Sequence, residues 1–220
     1  MASNRRAFLT VTAVGALAAA PAAAAPAATD HPHDSRTALA ELLAGNRRYA
    51  TGRSRHPHDT VRRRHLVAAT QHPFAVIVGC IDSRVPPELI FDQGLGDLLC
   101  IRTAGQVLDE AVLASVQYGV EELRIPLVLV LGHERCGAVA ATLEHLRTGA
   151  PVPGHLNLLV DEITPSARRT RALPGDWAEH TMTAHTRWVR DAIRADSAFA
   201  GSTVLAARFD LDTGRVTLLP

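Results

Sequence analysis

The chain has 220 residues, 47% of them hydrophobic and 20% charged, with a formal net charge of +1. This balance excludes a disordered chain and a protein threaded repeatedly through a membrane, and the length suffices for one domain with a sizeable core. All 23 basic residues are arginines, so P-loop phosphate chemistry, Schiff-base catalysis and pyridoxal anchoring have no lysine to run on.

Asn4-Arg5-Arg6-Ala7-Phe8-Leu9-Thr10, followed by the uncharged run Val11 to Ala20, has the pattern of a twin-arginine export signal. The run is alanine-rich and broken by Pro21 and Pro26, which makes a poor transmembrane helix, and small residues permit cleavage near Ala27 or Ala28. The expected organisation is a signal over residues 1–28, a linker over 29–34 and a single domain over 35–220. Such a protein is exported, periplasmic or extracellular, and keeps no stable membrane span once the signal is removed. Without Arg5 and Arg6 the remaining charge is −1, which argues against a nucleic-acid or anionic-lipid binder.

From Ser35 to Gly52 the apolar residues Leu39, Leu42, Leu43 and Tyr49 share one helical face, with Ser35 as the expected N-cap. A second helix opens at Asp59 or Thr60 and reaches Thr70. Continuous apolar runs at 74–80, 98–102 and 127–131 predict strands covered on both faces. Helices are predicted at Pro87–Asp92, Leu108–Leu123, Cys136–Arg147 and Trp177–Ala195, while 148–175 is rich in Pro and Gly and stays unassigned. The chain closes with a hairpin, Thr203–Asp210 and Arg215–Leu219, around Asp212-Thr213-Gly214. Alternating strands and helices predict an α/β fold, a mostly parallel sheet flanked by helices.

Reactive residues concentrate after two of these strands: Cys80-Ile81-Asp82-Ser83-Arg84 and Gly132-His133-Glu134-Arg135-Cys136-Gly137. The carboxyl ends of strands are where ligands bind in an open α/β sheet. Cys80, His133 and Cys136 offer two thiolates and an imidazole, a set suited to Zn2+, and three protein ligands leave the fourth tetrahedral position open for catalysis.

Cys80-x-Asp82-x-Arg84 and His133-x-x-Cys136-Gly137, supported by Ala40 to Asn46, Arg102 to Gly105 and Ser115 to Tyr118, resemble a β-class carbonic anhydrase from about residue 36 to the final hairpin. The resemblance implies reversible hydration of CO2 to bicarbonate and a proton by zinc-bound hydroxide, in a homodimer or dimer-based oligomer with active sites at the subunit interface. It makes Asp82, held ionised by Arg84, either a catalytic acceptor or, once released, a fourth zinc ligand that closes the site. It also places Gln71 and the Gly137 N–H as donors to the substrate, and Leu99 and Tyr118 in the apolar CO2 pocket. Ile77 stands where a bicarbonate-inhibited branch of the family carries Trp, so that inhibitory site is not expected.

Other readings of the same residues are a disulfide between Cys80 and Cys136, a related zinc hydrolase of CS2 or COS, and a non-catalytic zinc module. Cys100 belongs to no motif and reads as a packing residue. His31-Pro32-His33 and His56-Pro57-His58 read as solvated loops, and Arg62-Arg63-Arg64 as a solvated helix face.

Overall fold

The computed structural model describes residues 32–220; the segment expected to be an export signal lies outside the described residues, as does His31. The strands are β1 (Ala75–Cys80), β2 (Leu98–Thr103), β3 (Leu127–His133), β4 (Thr203–Phe209) and β5 (Val216–Leu219). They form one sheet in the order β2-β1-β3-β4-β5. All neighbours run parallel except β4 and β5, the expected hairpin. The chain leaves β1 for β2 on one side and returns to β3 on the other, so the crevice between the carboxyl ends of β1 and β3 lies at a topological switch point.

The helices are α1 (Ser35–Ala50), α2 (Val61–Val67), the single turn α3 (Pro87–Ile90), α4 (Glu110–Gln117), α5 (Gly137–Thr148), α6 (Asn157–Thr170) and α7 (Trp177–Ala195). Alternation along the strands divides the core. Ile77, Leu129, Leu131 and Phe209 pack with Leu42, Phe91, Val139, Ile163 and Met182 on one face. Val76, Val78, Val128 and Val130 pack with Val112, Val116, Val189 and Ile193 on the other. Both faces are covered, which is why the strands read as unbroken apolar runs. β2 is an edge strand, half-buried along its length.

The structure departs from the sequence reading at five points. Asp34, not Ser35, caps α1, its carboxylate accepting the Thr37 N–H at 2.9 Å. The second helix ends at Val67, before Thr70. The helix expected over 108–123 stops at Gln117, and Tyr118–Glu122 form one wide π turn. There Gly119 lies against the sheet, where a Cβ would come within 2.8 Å of both Leu99 and Val76. The unassigned stretch holds α6, whose buried Val160, Ile163, Ala167 and Thr170 have helical spacing despite the internal Pro165. Arg63, expected on a solvated face, is buried, with its guanidinium on the Leu95 carbonyl and Asp97.

Candidate metal centre

Cys80 is the last residue of β1, His133 the last of β3, and Cys136 the N-cap of α5. All three are buried, and their ligand atoms lie within 4.8 Å of one another. No cysteine is in a disulfide, so the disulfide reading of Cys80 and Cys136 fails. Cys100 is only half-buried on the edge strand, apart from the cluster, and desolvation followed by Glu88 pushes its thiol upward. That fits a packing role.

His133 Nδ1 lies 2.8 Å from the Glu134 carbonyl, which can only accept, so the ring proton sits on Nδ1 and Nε2 presents its lone pair. That Nε2 is buried and has no hydrogen-bond partner among the described residues, a state that costs about 1–3 kcal/mol. A cation between it and two sulfurs removes the cost. The two sulfurs act on each other: the hydrogen bond from Cys136 lowers the Cys80 thiol, and Cys80 and burial raise Cys136. A bound dication lets both ionise together. The orphaned imidazole nitrogen and the paired sulfurs fit zinc.

The loops around the ligands are held by residues whose roles sequence reading did not assign. Arg102 donates from Nε to the Cys80 carbonyl at 2.9 Å and from Nη2 to the Asp82 carbonyl at 2.7 Å. The Gly105 N–H lies 3.3 Å from Cys80 Sγ. Between the two ligands of the second loop, Glu134 accepts from Arg208 and from the Leu211 N–H, while Arg135 grips Asp212 with two hydrogen bonds. Glu134 and Arg135 therefore fasten the loop to the β4–β5 hairpin. The Arg102-Thr103-Ala104-Gly105 motif was the only sequence signal for any of this.

Asp82 faces the centre, with Oδ2 4.0 Å from His133 Nε2. Arg84 holds it by two side-chain bonds, Nε to Oδ1 at 3.0 Å and Nη2 to Oδ2 at 2.7 Å, and by its backbone N–H. The Arg84 hydrogen bond outweighs desolvation and brings the Asp82 carboxyl down to about 2. Gly137 opens α5, and a Cβ there would meet nothing within 4 Å. Cys136 stands at the N-terminus of the same helix, where the helix dipole favours a thiolate.

Gln71, Leu99 and Tyr118 are not gathered at this centre. Leu99 pairs with Val76, four residues before Cys80 along β1, a separation of about 13 Å at the rise of a strand. Tyr118 is exposed beside Gly119, which packs on Leu99. Gln71 is exposed ahead of β1, which it joins at the end opposite Cys80. Leu99 and the start of β1 lie toward the opposite end of the sheet from the metal ligands of their own chain. Ile77 is fully buried in the core.

The family model described as carbonic anhydrase matches residues 75–216, spanning both ligand loops. The chain is 41% identical over 184 residues to carbonic anhydrase 2 of Mycobacterium tuberculosis, covering 80% of this chain and 89% of that protein. It is 48% identical over 125 residues to a carbonic anhydrase of Mycolicibacterium smegmatis, covering 57% and 61%. Among solved structures, the β-carbonic anhydrase CafA of Aspergillus fumigatus aligns with a TM-score of 0.64 at 24% identity, over 82% of this chain and 90% of that one. A tetrameric β-carbonic anhydrase of Sordaria macrospora gives 0.61 at 22%, over 83% and 97%. These two likenesses concern the fold. The chain belongs to the carbonic anhydrase family, and its architecture is that of the β-class.

Proposed function

We propose that this chain catalyses the reversible hydration of CO2 at one zinc ion held by Cys80, His133 and Cys136. The observation that carries the reading is the buried His133 Nε2, without a hydrogen-bond partner among the described residues and facing two sulfurs. Zinc in such a site supplies a nucleophilic hydroxide near neutral pH and polarises substrate oxygen.

The protein's own residues do the remaining work. Arg84 keeps Asp82 ionised and engages both of its carboxylate oxygens, so that Oδ2, 4.0 Å from His133 Nε2, would serve as a fixed hydrogen-bond acceptor beside a bound metal. Of the two roles expected for Asp82, its pairing with Arg84 supports the catalytic one. The buried ligands exclude water from the sulfurs, and the open side next to Gly137 leaves room for substrate, with the Gly137 N–H as a donor. Gln71, Leu99 and Tyr118 are assigned to the substrate pocket of a partner subunit, since their distance from Cys80 bars them from their own. A homodimer is then the smallest complete unit.

A CS2 or COS hydrolase shares this metal set, and a structural zinc module has no use for the Asp82–Arg84 pair. Zinc content, stopped-flow CO2 hydration and sulfide release on one purified sample separate the three: one zinc per chain with rapid hydration and no sulfide is expected. Sulfide release without hydration would overturn the reading. Export through the twin-arginine route belongs to the same proposal and rests on residues 4–20 alone. No helix among the described residues is long and apolar enough to cross a membrane.

A further inference from the structure

The turn that follows β2 carries backbone strain next to the metal centre. Gly105 has φ +66 and Gln106 φ +46; the second is a non-glycine residue in the left-handed region, a strained conformation for an L side chain. Gly105 has no room for a side chain either, because a Cβ would meet Ala138 Cβ at 2.9 Å and Ile163 Cδ1 at 3.0 Å. The product of this conformation is one contact, the Gly105 N–H on Cys80 Sγ.

What holds the turn comes from α7. His185 Nε2 lies 3.1 Å from the Gly105 carbonyl, which can only accept, so the imidazole donates. Thr186 Oγ1 accepts from Gln106 Nε2 at 3.1 Å. Both residues are completely buried, and His185 is stacked on Trp188. Desolvation lowers the His185 ring to about 4, so it stays neutral with its proton on Nε2. Gln106 Oε1 and His185 Nδ1 are buried without hydrogen-bond partners among the described residues. A strained turn, two buried orphan acceptors and two buried polar residues are a poor arrangement for stability alone.

We propose that His185, assisted by Thr186, is a positioning residue for the metal centre. By fixing the Gly105–Gln106 turn it keeps the Gly105 N–H on the Cys80 thiolate. The hydrogen bond draws charge from that sulfur, and so offsets part of the electron donation by which two thiolates weaken the metal's action on bound water. The inference rests on the assignment of Cys80 as a metal ligand.

Cobalt(II)-substituted protein tests it, because the thiolate-to-cobalt charge-transfer band reports sulfur donation independently of turnover. His185→Phe keeps the ring volume and removes the donor; its band should move to lower energy, and zinc affinity by chelator competition should fall about tenfold. His185→Gln, whose amide can reach the same carbonyl, should restore both to near the parent values. Thr186→Val should move the band in the same direction by less, which keeps the test decisive if His185→Phe does not fold. Ile193→Val, which loosens the same helix two turns away in the other core layer, should leave the band in place. An unmoved band in both His185→Phe and Thr186→Val overturns the proposal, as does an equal shift in Ile193→Val. Absence of the band from the parent protein would overturn the Cys80 assignment itself, and the proposal with it.

Discussion

Arg84 touches no metal ligand side chain, yet it decides what Asp82 can do. With both guanidinium bonds in place, each carboxylate oxygen is occupied by a donor. Arg84→Ala frees an anion 4.0 Å from His133 Nε2, close enough to take the fourth metal position. The expected outcome is protein that keeps its full zinc content and loses at least about 10²-fold in hydration rate, the usual worth of a positioned proton acceptor. Metal analysis beside stopped-flow kinetics checks it; a wild-type rate would remove Asp82 from the mechanism, and loss of zinc would make Arg84 structural.

Helix α1 and the loops under it show what sequence reading reaches. Asp92 is buried and accepts from Arg48 Nε and from the Arg55 and His56 N–H groups. Burial alone would raise its carboxyl, but these donors bring it below the ordinary value. A depressed folded pKa means that the contribution is complete above the ordinary carboxylate range and is lost as pH falls through the lower folded value. Asp92→Asn suits the left-handed φ of 48 at this position. It should cost about 3–5 kcal/mol in chemical denaturation at pH 7 by leaving Arg48 without its buried partner. The difference from wild type should shrink below about pH 4.

The core strands were readable because runs such as Ala75 to Gly79 are buried on both faces, and both ligand loops were readable because Cys, His, Asp and Arg fall together after such runs. Helix α6 was not: Pro165 and the Pro-Gly stretch before it masked a correct apolar spacing. Asn46 was not either. Its amide bonds the carbonyls of Ile90 and Gly214 and accepts from the Val216 N–H, joining α1 to α3 and the hairpin. Contacts of side chains with distant backbone, like those of Arg102, leave no local pattern to read.

The separation of Gln71 from Cys80 has a consequence for the assembly. If the pocket is shared across a two-fold interface, Gln71→Ala damages the site whose metal belongs to the partner, and Cys136→Ser destroys the site of its own chain. Each variant alone should be inactive or nearly so. After unfolding and refolding as an equal mixture, random pairing should restore roughly a quarter of wild-type activity through dimers with one intact site. Absence of recovery in mixtures shown to contain heterodimers would place each pocket within a single subunit.

The proposed export bears on the same chemistry, since Cys80 and Cys136 come from separate loops and would be free to oxidise in an unfolded chain outside the cytoplasm. Under that proposal, folding around zinc before transport would protect both. Replacing Arg5 and Arg6 by lysines should therefore leave zinc-loaded, active enzyme in the cytoplasm, seen by assaying CO2 hydration in separated cell fractions; unchanged export would assign the N-terminus to another pathway. Everything above depends on a metal at Cys80, His133 and Cys136, and metal removal tests it most directly. Zinc content and CO2 hydration would be followed together while a chelator strips the purified protein and zinc is then returned. The expected result is one zinc per chain, with activity falling in proportion to metal and recovering on its return; hydration that persists in zinc-free protein would contradict the assignment.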